Sequence, residues 1–144
     1  MKTTASRLVL GGVLFVLTFL VLGFASEGAA SPHRTYADAD ALLTHAGMRH
    51  IRGVQHPSRQ AVASLPLALR GCGVWLRGAS LTGYINALVC DSHTSALEAQ
   101  SYIVKTGHLG GNGMDTAVSG NLFFIVIAPT GPAADRLTSV VSGA

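Results

Sequence analysis

The chain has 144 residues and a formal net charge of +3; 49% of its residues are apolar and only 12% are charged. After an N-terminal segment of about 30 residues is set aside, this length suffices for one domain with a single hydrophobic core. The composition favours a compact globular domain over a solvated, disordered tail. The wide spacing of the basic residues argues against a nucleic-acid platform, so we expect no nucleic-acid partner.

The N-terminus has the pattern of an export signal. Lys2 and Arg7 flank an uncharged apolar run of 18 residues, 8–25, which as a helix would be roughly 27 Å long, close to the thickness of a hydrocarbon core. Residues 1–30 are therefore predicted to be a cleaved signal peptide or an uncleaved single-pass anchor with the membrane as its partner. A buried helix of a soluble domain is a third interpretation. In the first two, the positive flank keeps the N-terminus inside, and the domain is extracytoplasmic, secreted or held at the cell membrane. Ser26 stands where a lipoprotein needs a cysteine.

Residues 31–36 are predicted to be a linker that leads into an extracytoplasmic domain over residues 37–144. The first helix of the domain is predicted over 38–47, where acids at the start and Gly at the end suit the helix dipole. Three of its side chains are expected to face the core: Leu42, Leu43 and Ala46. The stretch 48–64 shows no clear pattern. An extended piece is predicted over 62–69, and its proline places it at an edge or a bulge.

Cys72 and Cys90 are the only cysteines, an even number in a chain predicted to be exported. Residues 74–76 and 84–89 have the composition of strands, with a Gly-bounded turn between them. A hairpin centred near Leu81 puts the two cysteines opposite each other, at a Cα separation of about 4.5 Å that a disulfide tolerates. We therefore predict a disulfide that clamps the open end of the hairpin. The alternative, a redox or metal-binding thiol pair, lacks CxxC spacing.

Asp91 or Ser92 is predicted to cap a second helix that ends at Gly107. Its apolar residues are expected to line one broad buried side: Ala96, Leu97, Ala99, Ile103 and Val104. The Gly-rich segment 107–113 is interpreted as a connecting loop, because it follows a helix and leads into a strand. A phosphate-binding loop follows a strand and opens a helix.

Two further strands are predicted over 115–118 and 122–128, separated by a Ser-Gly-Asn turn. The second is continuously apolar, which indicates that both of its faces are covered and predicts a central place in the sheet. A last helix is predicted from Pro132 or Ala133 to Val141, with these residues on its buried side: Leu137, Val140 and Val141. The element order predicts an α+β fold, in which an antiparallel sheet of about four strands has helices packed on one face and is preceded by the N-terminal apolar helix.

The order of these elements resembles that of small exported α+β domains of high-GC Gram-positive bacteria. The shared features are a short first helix, a Cys before a Gly-turned hairpin, a capped helix, a G-[DN]-aromatic strand and a terminal helix. The resemblance covers residues 37–143, with Gly120-Asn121-Leu-Phe as the best local match, and eight Arg against two Lys fit such a genome. The chain departs from the pattern in lacking a lipoprotein cysteine and in a longer spacing from Cys72 to the helix cap. Members of the group are largely without assigned function. The resemblance therefore implies a fold and an extracytoplasmic location, but no catalytic or binding function.

No set of side chains predicts catalytic residues, a cofactor or a metal site. Six histidines are scattered along the chain: His33, His45, His50, His56, His93 and His108. The three nearest are spaced by five and six residues, which does not place them on one helical face. The adjacent Asp91, Ser92 and His93 cannot form a catalytic triad and are interpreted as part of a helix cap. Asp115 and Asp135 are too far apart in sequence to suggest a carboxylate pair.

Trp75, Tyr84 and Tyr102 are the candidate residues of a recognition surface. Trp75 and Tyr84 can meet across the hairpin, which is also the pattern of ordinary cross-strand packing. We expect an exported or membrane-anchored domain that acts as a non-enzymatic binding or accessory module, with a protein or a cell-wall component as its partner. The alternative is a small secreted hydrolase or metal-dependent enzyme, which a pocket with two or more perturbed titratable groups would favour.

Overall fold

A computed structural model describes residues 32–106 and 113–143. The predicted signal peptide or anchor, its apolar run 8–25, and all but the last residue of the Gly-rich segment 107–113 lie outside the described residues. The elements follow in this order along the chain: α1 (Tyr36–His45), β1 (Arg49–Val54), α2 (Arg59–Ala63), a 3₁₀ helix (Leu67–Cys72), β2 (Val74–Ser80), β3 (Gly83–Val89), α3 (His93–Lys105), β4 (Met114–Ser119), β5 (Leu122–Ile127) and α4 (Gly131–Ser142). Within the two described ranges, no helix has the length and apolar character needed to cross a membrane.

The sheet has five antiparallel strands in the order β1-β2-β3-β5-β4. The α+β class is confirmed, whereas the predicted number of about four strands is one too low. The additional strand is the edge strand β1, in which only Ile51 is even partly buried. It therefore lacks the alternation that identifies a half-buried strand in a sequence. Its pairing with β2 is interrupted between Arg49 and Arg52, where His50 has a φ of 52°.

Strand β5 is an interior strand, between β3 and β4, although the middle position belongs to β3. Its side chains alternate between two separate core clusters. Leu122 and Phe124 pack in the cluster that contains residues of α1 and α4. Phe123 packs on the opposite face, in the cluster that contains residues of α3. The prediction that both faces of β5 are covered is confirmed. The prediction that the helices pack on one face of the sheet is wrong, because α3 lies on the face opposite α1 and α4.

A reciprocal cap fixes the start of α1. The Thr35 hydroxyl accepts the backbone N–H of Asp38 at 3.3 Å, and the Asp38 carboxylate accepts the backbone N–H of Thr35 at 2.7 Å. The carboxylate also accepts a hydrogen bond from the Thr35 hydroxyl at 2.9 Å. The hydrogen bond from the Thr35 backbone, and after it the one from the hydroxyl, hold the pKa of Asp38 below its ordinary value. Leu43 is fully buried against the sheet, as predicted. The other two predicted core residues, Leu42 in α1 and Ala46 directly after it, are partly buried.

Helix α3 packs through small residues on the face of the sheet opposite α1 and α4. Ser92, one of the two predicted caps, accepts a backbone N–H at 3.1 Å. Ala96 and Ala99 are fully buried, and their short side chains let the helix approach the sheet closely. Leu97 and Val104 are 44% and 53% exposed, so the prediction that they belong to the buried side is wrong. They are seven residues apart and therefore share the outer side of the helix.

Helix α4 begins and ends close to its predicted limits. The Thr130 hydroxyl accepts the backbone N–H of Ala133 at 3.3 Å, and a proline lies in the first turn, where no intrahelical donor is needed. Leu137 and Val141 are buried, as predicted. Val140 is 39% exposed, which contradicts its predicted place in the core.

Two short helices stand where an extended piece was predicted over 62–69, and that prediction is wrong. Ser58 caps α2, because its hydroxyl accepts the backbone N–H of Ala61 at 3.1 Å. Pro66 occupies the position before the 3₁₀ helix, where its missing N–H leaves no hydrogen bond unmade. The proline therefore starts a helix instead of interrupting a strand.

A buried asparagine joins three parts of the domain. The Asn121 amide nitrogen donates to the carbonyl oxygens of Arg34 (2.9 Å) and Cys90 (2.8 Å), and its Oδ1 accepts the backbone N–H of Arg34 (2.6 Å). Asn121 is 2% exposed and lies in the two-residue turn between β4 and β5, where Gly120 has a φ of 59°. These hydrogen bonds tie the segment before α1 and the end of β3 to that turn.

Candidate recognition face

The described residues cover the face of the sheet on which α3 packs only in part. Helix α3 packs against β4, β5 and the 3₁₀ helix. Along β2, Trp75 and Arg77 are exposed on this face, and Leu76 between them is buried on the other. Cross-strand pairing brings further side chains of β1 and β3 onto the same face. The six residues that we call the recognition face are Arg52, Val54, Trp75, Arg77, Tyr84 and Asn86.

The structure brings two of the three predicted surface residues onto this face. Trp75 is 41% exposed and pairs across the hairpin with Leu88, whereas Tyr84 pairs with Ala79. The two aromatic side chains therefore share a face without forming a cross-strand pair, which corrects the expected contact. Tyr102 lies apart from the recognition face, half-buried on α3.

An apolar groove adjoins the recognition face. It has a volume of about 320 Å³ and lies between the strands on one side and α2 with the 3₁₀ helix on the other. Its lining is largely aliphatic and includes Val54, Val62, Leu65, Leu69, Leu88 and Ile125. Val54 and Trp75, which are direct partners on β1 and β2, are 36% and 41% exposed. This volume lies at the lower end of the range typical of ligand pockets.

The disulfide holds one wall of the groove in place. Cys72 and Cys90 are bonded, as predicted, with a Cα separation of 4.0 Å. Cys72 ends the 3₁₀ helix instead of continuing β2, and the strand ladder begins at the pair Val74 and Val89. The backbone N–H of Asp91 donates to the carbonyl of Gly71 at 2.8 Å, a second link between the same two segments. The bond thus connects the 3₁₀ helix, which lines the groove, to the end of β3.

Positive charge dominates the segment that contains β1, β2 and β3. Residues 41–90, which include β1, β2 and β3, contain five Arg and no Asp or Glu. Arg52 and Arg77 are direct cross-strand partners and both are exposed. The Arg77 guanidinium lies 4.6 Å from the centre of the Tyr84 ring, a cation–π contact. Among the described residues, neither arginine has an acidic partner. The described acids lie outside this segment: Asp38, Asp40, Asp91, Glu98, Asp115 and Asp135.

The residues considered for catalysis have structural partners. The Ser92 hydroxyl caps α3, and His93 Nδ1 lies 2.6 Å from the Gly120 carbonyl oxygen. Asp115 Oδ1 accepts the backbone N–H of Thr116 at 2.7 Å. Across residues 32–106 and 113–143, no three His, Cys, Asp or Glu side chains are grouped so that they could hold a metal ion.

Sequence reasoning missed four residues of the recognition face: Arg52, Val54, Arg77 and Asn86. The first two lie on β1, which has no recognisable strand pattern, so no pairing with β2 was expected. One signal was present in the sequence, namely the absence of acids between Asp40 and Asp91. That absence marks the segment as a basic surface before any pairing is known.

Comparison of the chain with models of known families, with curated proteins and with solved structures finds no match.

Proposed function

We propose that this chain is an exported protein whose domain over residues 37–144 acts outside the cytoplasm as a non-enzymatic binding module. The domain is secreted or is held at the membrane by residues 8–25. The observation that supports binding is the recognition face itself: the exposed Trp75 lines an apolar groove, and beside it lie Arg52 and Arg77, which have no acidic partner among the described residues. Trp, Tyr and Arg are the residues that most often dominate the free energy of protein interfaces.

The proposed location is supported by cysteine chemistry. The two cysteines of the chain form one disulfide, and structural disulfides persist mainly in oxidising compartments outside the cytoplasm. This is compatible with export by the apolar segment 8–25. The resemblance to small exported domains of high-GC Gram-positive bacteria stays a prediction and indicates the same location outside the cytoplasm.

Binding is favoured over the alternative of a small secreted hydrolase or metal-dependent enzyme. In the part of the chain that the structure describes, the groove lining combines aliphatic side chains with Trp75 and Asn86 and includes no Asp, Glu, His or Lys. Ser92 and His93, which supply hydrolase residue types, are engaged at the start of α3 and at the β4–β5 turn.

Site-specific photo-cross-linking in the producing cell tests the proposal. One full-length variant carries benzoylphenylalanine in place of Trp75, at the rim of the groove. The control carries it in place of Arg136, an exposed residue of α4 on the other side of the sheet. We expect a discrete cross-linked product at position 75 and none at position 136, because only the first position lies on the recognition face.

Equal products at both positions, or none at position 75, would contradict the assignment of this face. Turnover of a model ester, peptide or glycoside by the purified chain, with no cross-link at position 75, would replace the binding module with the enzyme.

A further inference from the structure

We propose that the recognition face binds an acidic segment of a partner protein, and that the groove holds an aliphatic or aromatic side chain of that segment. This inference rests on the proposed binding function and adds the chemistry of the partner. It follows from the charge, the exposed apolar pair and the spacing of residues on β1.

A negatively charged ligand would relieve the repulsion between the two arginines of the recognition face. Arg52 and Arg77 are opposite each other on paired strands, and like charges in this position destabilise a sheet. Segment 41–90, which contains both arginines, has no acidic residue that could offset this repulsion. A guanidinium group binds carboxylates in a planar, bidentate geometry, so acidic side chains of a partner would relieve the repulsion and gain strong hydrogen bonds.

The apolar pair lies next to the charged pair. Arg52 and Val54 are two residues apart on β1, a spacing of roughly 6.6 Å along one face of a strand. Val54 lines the groove and pairs with the exposed Trp75. An extended ligand with an acidic residue and an apolar residue two positions apart therefore matches both pairs at once.

A protein segment fits these features better than an anionic bilayer. Basic patches that bind membranes commonly carry about four to eight Lys or Arg, whereas the recognition face has two arginines and no lysine. An apolar groove beside an exposed tryptophan also suits a single inserted side chain, as in the anchor pockets of protein interfaces.

Selection from a random peptide library identifies the preferred ligand even while the partner itself is unidentified. Phage that display random dodecamer peptides are selected on the immobilised full-length chain and, in parallel, on the double variant Arg52→Gln, Arg77→Gln. We expect the wild type to enrich peptides with an acidic residue two positions from an aliphatic or aromatic residue. The double variant should not enrich this pattern.

The chain provides its own binding reporter, because Trp75 is its only tryptophan. An enriched peptide without tryptophan is titrated into the wild type and three variants, and the emission of Trp75 is recorded. We expect the Kd to rise at least about tenfold for Arg52→Gln and for Arg77→Gln, since each removes charge-assisted hydrogen bonds. The control Arg136→Gln should leave the Kd unchanged. An unaltered near-ultraviolet dichroism spectrum verifies that each variant is folded.

Three results would overturn the proposal: enriched peptides without acidic residues, acidic peptides that bind the double variant as tightly as the wild type, or no enriched peptide while phosphatidylglycerol vesicles shift the Trp75 emission. If a cross-link at position 75 accompanies any of these, the binding function stands and only the class of partner is wrong. If the cross-link is also absent, the proposed function fails as well.

Discussion

Replacement of Asn121 by Ala removes the side chain that joins the segment before α1, the end of β3 and the β4–β5 turn. Three hydrogen bonds of 2.6–2.9 Å are lost, two with the backbone of Arg34 and one with the carbonyl of Cys90. A net contribution of about 1 kcal/mol for each hydrogen bond gives a loss of about 3 kcal/mol in the free energy of unfolding. That is a large fraction of the roughly 5–15 kcal/mol by which a domain is stable.

Urea unfolding measures this loss, with Trp75 fluorescence and far-ultraviolet dichroism as two independent probes. We expect a lower midpoint with an unchanged slope, because the denatured state is not altered. The matched control is Asn86→Ala on β3, whose half-buried amide forms no hydrogen bond with the described residues and should cost less than about 1 kcal/mol. Equal losses for Asn121→Ala and Asn86→Ala would refute the assigned role of Asn121.

Three other changes test separate parts of the structure. Replacement of both Cys72 and Cys90 by Ser should lower the free energy of unfolding by about 3 kcal/mol, as expected for a bond across a sequence separation of 18; an unchanged urea midpoint would show that the bond does not constrain the chain. Arg52→Glu places a negative charge directly opposite Arg77 on the paired strand, so it should raise the stability by roughly 0.5 kcal/mol while it abolishes binding of the acidic peptides. The control Arg136→Glu, on the other side of the sheet, should do neither. Because hydrogen bonds lower the pKa of Asp38, its carboxylate stabilises the fold above the ordinary value of 3.8 and this contribution is lost as the pH falls through the lowered pKa. The wild type should therefore exceed Asp38→Asn in Tm at pH 7, and a Tm difference that does not shrink below pH 3.8 would contradict the capping role.

Local signals in the sequence predict much of the fold. The cap of α3, the hairpin formed by β2 and β3, and the disulfide between Cys72 and Cys90 each depend on residues close in sequence. The continuous apolar run of β5 also predicts that both faces of the strand are covered, and the packing of Phe123 and Phe124 on opposite faces confirms it.

Elements that depend on distant contacts are not predictable in the same way. Strand β1 is an exposed edge strand, and only its pairing with β2 identifies it. The outward position of Leu97 depends on the angle at which α3 meets the sheet, because an apolar residue at that spacing fits either side of the helix.

The recognition face also depends on contacts between residues that are distant in sequence. The sequence singles out Trp75 and Tyr84 by residue type, but it does not reveal that Arg52 lies opposite Arg77, since that pairing requires β1. The groove likewise depends on the 3₁₀ helix, where Pro66 suggests an interrupted strand when only the local sequence is considered.

The redox state and accessibility of the domain in intact cells test its proposed location most directly. Cells that produce the full-length chain are quenched with acid, and the free thiols are labelled with a maleimide of high mass, before and after reduction. A second sample of spheroplasts is treated with protease. We expect Cys72 and Cys90 to react only after reduction, and added protease to reach the domain without cell lysis. Thiols that are free at the moment of quenching, in a domain that protease reaches only after lysis, would contradict export and the proposed extracytoplasmic binding module.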